Sequence, residues 1–318
     1  MNSLRIGLIG ASRVATYAVI APAKALGGIE VVTVAARDPE RARAYAEEHG
    51  IPRFSADYEA LISDPEVDLV YIATPPLSHP DQALAAIAKG KPVLVEKPFA
   101  ISSAEARRVL AAARAAGVPL FEAMHSPHHR LFKHVLKLIN DGTIGAVRHI
   151  EASFTAPIDP EDPIRWNGEL GGGALMDLGV YPLTWVRRIA GEDFNVSEGH
   201  VTMRQDVDES FEVRLAFPNG TTARIEASMA APVAARLTVE GETGLIAVVN
   251  PVAPQRGHQL VVRDSAGERS ETIEGPSSYE EQLLAIRASL QEGAAFLCPD
   301  DDFVKSMEAI ERVRESWR

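Results

Sequence analysis

Cysteine is almost absent from this chain. Cys298 stands alone among 318 residues, so no internal disulfide and no thiolate metal cluster can form, and a reducing, cytoplasmic compartment is the expected one. Positive charge is also scarce. Lys and Arg number 32 against 44 Asp and Glu, a formal net charge of −12. That balance argues against a general nucleic-acid or anionic-membrane surface, and any anionic ligand must be held by a local patch of donors. No apolar run approaches the ~20 residues of a membrane span. The start, Met1-Asn2-Ser3-Leu4-Arg5, lacks a charged region followed by a long apolar segment, so no signal peptide is expected. Internal repeats and low-complexity tails are absent as well.

What is present is ordinary globular material, 46% apolar and 24% charged, in a chain long enough for two domains. From residue 5 to 122 apolar strand-like runs alternate with helical segments. Strands are expected at 5–9, 30–35, 69–72, 93–95 and 118–122, and helices at 13–26, 39–49, 78–89 and 102–116. Pro39 sits in a first-turn position, Gly50 just past a helix end, and Ser102 with Glu105 fits a capping box. Repeated strand, helix, strand implies a parallel, doubly wound sheet.

After about residue 123 the pattern changes. A helix at 130–140, a strand at 147–154 and a glycine-led helix at 173–189 precede period-two strands at 211–217, 221–228, 236–240, 245–249 and 259–263. Pro218-Asn219-Gly220 carries the Asn-Gly hairpin signature. The expected fold class is α/β: a doubly wound parallel domain over 1–123, then an α+β domain over 124–318 with a large, mostly antiparallel open sheet. Closing helices within 278–318 are able to pack back on the first domain.

The first turn carries chemistry. Gly10, Ser12 and Ala15 fall on the G-x-G-x-x-G/A fingerprint of a dinucleotide-binding Rossmann domain, with Ser12 in place of the second glycine. Serine is small, and its hydroxyl and amide are able to donate to phosphate. Arg13 and Val14 open the helix whose N-terminus would face the pyrophosphate. At the end of the second strand, where an NAD site usually places an acid for the ribose 2′-OH, stand Ala36 and Arg37. An arginine without the acid favours a 2′-phosphate, hence NADP(H) over NAD(H), with NAD(H) still possible. Asp38 is read as the cap of the helix begun by Pro39.

Val93-Leu94-Val95-Glu96-Lys97-Pro98 ends a buried strand abruptly and delivers Lys97 at a strand's carboxyl end, where open α/β sheets bind ligands. With this segment the chain resembles the Gfo/Idh/MocA family of NAD(P)-dependent oxidoreductases over essentially its whole length. The resemblance rests on the glycine fingerprint, on Ala73-Thr74-Pro75-Pro76 with His79, on Gly90 to Pro98, and on Gly171-Gly172-Gly173-Ala174-Leu175-Met176-Asp177-Leu178-Gly179-Val180-Tyr181. It implies that Thr74, Pro75, Pro76, His79, Glu96 and Lys97 serve the cofactor, with Arg165 and Trp166 on its nicotinamide or substrate side. It also implies a homodimer or homotetramer through the open sheet, an uncovered face needing a cover.

Asp177 and Tyr181, four apart on a helix, share a face. A tyrosine at this place is similar to the glucose-fructose oxidoreductase and dihydrodiol dehydrogenase branches, which use it as the acid/base group. A phenol titrates near ~10 in water and a nearby ammonium lowers that value, a role the resemblance gives to Lys97. Asp177 would hydrogen-bond a substrate hydroxyl or orient Lys97. His125, His128 and His129 suggest a metal by their number. The family needs none, so His125 is read as part of a substrate-pocket wall, in a stretch whose Ser126-Pro127 departs from the family pattern. The resulting expectation is carbonyl–alcohol interconversion on a sugar, polyol or related small cyclic hydroxy compound. A redox-neutral glycosidase on the same scaffold and a non-catalytic cofactor sensor are the alternatives.

Overall fold

Aliphatic and β-branched runs that cannot leave either face in water make the first sheet. β1 (Leu4–Ile9), β2 (Ile29–Ala35), β3 (Arg53–Phe54), β4 (Leu69–Ile72), β5 (Val93–Val95) and β6 (Leu120–Glu122) pair in parallel in the order β3-β2-β1-β4-β5-β6. Every residue of β4 and β5 is buried, the signature of a sheet covered on both sides. Each such aliphatic side chain stabilises by about 1.5–3 kcal/mol. The order reverses between β1 and β4, so the carboxyl ends of these two strands border the crevice in which doubly wound sheets bind ligands.

The computed structural model describes residues 3–298 and 300–317. The chain divides into two compact units, Met1–His125 with Tyr279–Val304, and Ser126–Ser278 with Lys305–Arg318. Helix Ser278–Glu292 thus belongs almost wholly with the first unit, while most of helix Asp302–Glu315 belongs with the second. Among the described residues no helix is long and apolar enough to cross a membrane.

Two of the expected helices differ in kind. Residues 13–26 are helical, but Thr16–Ile20 form a π turn between Arg13–Ala15 and Ala21–Leu26. Leu175–Gly179 is likewise a π turn, leading into helix Val180–Ala190. Each lies just ahead of a proline, Pro22 or Pro182. A proline ring clashes with the carbonyl four residues back in a regular α-helix, and the wider turn relieves that clash. β3 and helix Tyr58–Ser63 had no sequence signal: two exposed residues and six helical ones are too short to show a period.

The second unit holds an eight-stranded sheet, β14-β13-β12-β11-β7-β10-β9-β8. Its members are β7 (Val147–Thr155), β8 (Asn195–Arg204), β9 (Val207–Ala216), β10 (Thr222–Ser228), β11 (Ala234–Gly241), β12 (Leu245–Val249), β13 (Gln259–Asp264) and β14 (Gly267–Glu271). All neighbours are antiparallel except β7 and β10. The inner face buries Ile150, Val213, Ile225, Leu237, Ile246 and Val262, and helix Val180–Ala190 lies against β7 and β10. The opposite face is charged rather than apolar. Arg224 meets Glu212 at 2.6 Å and Glu226 at 3.5 Å, and Arg214 meets Glu198 at 3.3 Å. These strands therefore leave no apolar sheet face that by itself demands a cover.

Candidate active site

The cofactor-side residues stand at adjacent strand ends of the first unit. Gly10, after β1, has φ +106, and its amide donates to Ala35 O at 2.8 Å. A Cβ there would lie 2.8 Å from Ala73 O, so glycine lets the β1 turn close on the loop after β4. Ser12 caps the helix: its Oγ accepts from Ala15 N at 3.3 Å, while its amide donates to Gly10 O at 3.0 Å. The expectation that both its amide and hydroxyl serve phosphate is thereby narrowed, since the amide is already engaged and the hydroxyl proton remains. Arg13 and Arg37 are exposed, Val14 is half-buried and Ala36 is buried. Asp38 accepts from Glu40 N at 3.0 Å, the cap its Pro39 neighbour predicts.

Sequence reasoning missed two residues here. Arg41 donates to Ala11 O at 2.9 Å and the Tyr45 hydroxyl donates to Ser12 O at 2.8 Å, so helix Pro39–His49 grips the glycine turn. Arg41 falls in the first turn of that helix, close in sequence to Arg37, and that proximity was the available signal. Arg41 thus contacts the turn directly, Arg13 lies in it and Arg37 is exposed just past β2, a local cationic set in a strongly acidic chain. The close-approach glycine, the capped helix start and this cationic cluster all fit a dinucleotide phosphate.

Thr74, Pro75 and Pro76 are half-buried, Pro76 beginning a short 3₁₀ turn. Thr74 Oγ1 donates to Gln82 Oε1 at 2.6 Å. His79 is buried and acts as a brace: Nε2 lies 2.7 Å from Thr74 O and Nδ1 3.1 Å from Pro98 O. Burial pushes it down to about 4 despite those carbonyls; a neutral ring carries one N–H and donates to only one of them, and the shorter contact favours Nε2–H to Thr74 O. It is packed between the two loops rather than facing outward from them.

The turn after β5 has its own buried support. The Tyr71 hydroxyl donates to Glu96 Oε1 at 2.5 Å, and the other oxygen accepts from Lys97 N at 3.2 Å. Burial, then the Glu96 charge, raises the Tyr71 phenol well above its ordinary value. Lys97 is half-buried, and the Lys97–Pro98 peptide is cis. Glu122, ending β6, accepts from Phe99 N at 3.1 Å. His125 is 2% exposed, its ring 4.0 Å from that of Tyr279; the structure sets it among aromatic side chains at the last strand end.

In the second unit, hydrogen bonds tie residues Asp159 to Asp177 together. Arg165 Nε donates to Asp177 Oδ2 at 2.7 Å and Nη1 to Asp162 Oδ2 at 2.9 Å. The charge of Asp177 raises the Arg165 guanidinium further, against its burial. Trp166 is buried, donates to Asp159 O at 2.8 Å and lies under the Arg204 guanidinium at 4.3 Å. Both side chains given to the nicotinamide side are thus engaged within their own unit, Arg165 by Asp162 and Asp177 and Trp166 by Asp159 and Arg204. Asp177 lies in the π turn and Tyr181 in the following helix, so their four-residue spacing spans a wider turn than the one expected. Tyr181 is 6% exposed, edge-on to Phe154 with ring centroids 5.6 Å apart. Asp162 escaped sequence reasoning because it was one acid in an acidic loop.

The other two histidines of the trio are buried. His129 caps helix Arg130–Asn140, its Nδ1 accepting from Leu131 N at 3.0 Å. His128 is fully buried, and burial pushes it down to about 3. Among the described residues no three His, Cys, Asp or Glu side chains are placed to hold a metal ion.

Residues 4–124 match the profile of an oxidoreductase family with an NAD-binding Rossmann fold, and residues 132–247 match the Gfo/Idh/MocA C-terminal domain. The chain is 30% identical to dTDP-3,4-didehydro-2,6-dideoxy-alpha-D-glucose 3-reductase of Streptomyces antibioticus, covering 98% of each. It is also 30% identical to D-xylose 1-dehydrogenase (NADP(+)) 2 of Haloferax volcanii, over 98% of this chain and 97% of that one. Among solved structures, KijD10, a 3-ketoreductase from Actinomadura kijaniata in complex with NADP and TDP-benzene, superposes with a TM-score of 0.90 at 25% identity, over 99% of this chain and 98% of the other. With both domains matched in order and a relative 30% identical over nearly its whole length, the chain belongs to the Gfo/Idh/MocA family of NAD(P)-dependent oxidoreductases.

Proposed function

We propose that the protein is an NADP(H)-preferring oxidoreductase that interconverts a carbonyl and an alcohol on a sugar, polyol or related small cyclic hydroxy compound. Relatives named for sugar reduction and sugar dehydrogenation support the substrate class. Arg37 beside Ala36 supports the 2′-phosphate preference. Bound at the glycine turn, a nicotinamide cofactor supplies or accepts the hydride.

Tyr181 donates a proton to the developing alkoxide, or removes one in oxidation. Lys97 stabilises that charge and favours the phenolate. Asp177, its carboxylate fixed by Arg165, binds a neighbouring substrate hydroxyl. His125 contributes to the pocket wall. Glu96 holds the Lys97 backbone from below, and Tyr71 holds Glu96. The retention of Lys97 and Tyr181, each on an element whose start or end is hydrogen-bonded in place, carries the reading. We further propose that copies of the chain associate as a dimer or tetramer through the open sheet, by its charged face, in a cytoplasmic setting.

A panel of sugars, polyols and their keto forms, offered with NADP(H) and NAD(H) in turn, tests the reading by absorbance of the reduced nicotinamide. Turnover with at least one sugar, faster with NADP(H), is expected. No absorbance change with any of them contradicts it.

A further inference from the structure

We propose that Asp208, on β9, is a positioning residue that fixes the start of the helical segment carrying Asp177 and Tyr181. The need for it is written in the sequence. A helix start leaves orphan N–H groups, normally satisfied by a Ser, Thr, Asp or Asn immediately before it. Here Gly171-Gly172-Gly173 and Ala174 precede the segment, and none has a side chain that can accept a hydrogen bond; Ala174 supplies no cap. Asp208, 33 residues further on, takes the role: its Oδ2 accepts from Leu175 N at 2.6 Å.

The fit around it is specific. Asp208 is 2% exposed. Gly173 has φ +110, and a Cβ on it would lie 2.2 Å from Asp208 Oδ1, so only glycine admits the carboxylate. Burial pushes the carboxyl up to about 6, against the pull of the Leu175 N–H and the Arg314 charge. The neighbouring residues of the same hairpin act on the same loop. Asp206 Oδ2 accepts from Gly168 N at 3.0 Å, and Arg204 covers Trp166. The β8–β9 turn therefore holds both ends of the stretch from Trp166 to Leu175.

The catalytic part of this inference rests on the reading of Tyr181 as proton donor; the capping part does not. The test compares Asp208→Ala, which removes the acceptor, with Asp208→Asn, which keeps an acceptor without the charge. Amide hydrogen exchange at Leu175 is read in both, alongside kcat, KM and NADP(H) affinity. Asp208→Ala is expected to speed exchange at Leu175 by about fivefold to tenfold, the size of a lost cap. It is expected to lower kcat by a similar factor while NADP(H) affinity stays unchanged. Asp208→Asn is expected to restore both. Wild-type protection in Asp208→Ala, or equal loss in the two variants, overturns the proposal. If Asp208→Ala does not fold, Asp208→Asn decides alone: lost protection at Leu175 refutes the cap. Absence of turnover in the wild-type enzyme would refute the proposed function, while the exchange measurement would still decide the cap.

Discussion

Arg37 and Arg41 are two residues on one short stretch with different tasks. Arg41 is tied to the carbonyl of Ala11, whereas Arg37 is exposed at the position where an acid would bind a ribose hydroxyl. Arg37→Ala should weaken NADP(H) binding at least ~10-fold, the size of a lost charge-assisted contact, and leave NAD(H) nearly unchanged. Equal effects in a fluorescence titration would remove the 2′-phosphate assignment. Tyr71 poses a different question. Tyr71→Phe leaves a buried Glu96 oxygen without its donor, which should cost about 1–3 kcal/mol in denaturant unfolding. The positions of Lys97 and Arg37 just past strand ends were legible because a strand end and its next residue are contiguous in sequence. Tyr71 and Asp208 were not, because their partners lie 25 and 33 residues away; Asp162 bonds Arg165 three residues on, but nothing in a run of acidic residues marks one member as a support.

At the scale of elements, the glycine turn after β1 and the glycine run before the second π turn solve the same problem, bringing backbone close to another chain segment. Gly10→Ala would have to place a Cβ 2.8 Å from Ala73 O at φ +106, a strain of about 1–3 kcal/mol. A lower melting temperature and weakened NADP(H) binding are expected together. A variant with wild-type values for both would show that the turn has room to spare. The parallel sheet, the hairpin at Asn219-Gly220 and the caps at Asp38 and Ser102 follow from local pattern, and the structure holds them there. The π turns do not follow from pattern, because periodicity counts apolar positions and ignores the carbonyl that Pro22 or Pro182 would strike. β8 was overlooked because its exposed positions dominate its sequence.

At the scale of the whole molecule, buried titrating groups set the response to acid. Burial holds His79 at about 4 and His128 at about 3, below the ordinary 6.5. Unfolding therefore takes up protons between pH ~6.5 and ~4, and stability falls as pH falls through that window. Asp208 acts in the opposite sense, since burial raises it from 3.8 to about 6 and the folded state takes its proton first. It offsets about one of the two histidines, leaving a slope of about 1.4 kcal/mol per pH unit between pH ~6 and ~4. Unfolding midpoints should be clearly lower at pH 5 than at pH 7; a flat profile would mean that these histidines are not buried neutral.

The central claim is that Tyr181 moves the proton. Its direct measurement is turnover of Tyr181→Phe beside the wild type, on whichever sugar of the panel the wild type reduces or oxidises, with NADP(H) affinity measured in both. The predicted result is a fall in kcat of at least ~100-fold, the usual scale of a general acid, at unchanged NADP(H) affinity. Near-normal turnover in the phenylalanine variant would contradict it.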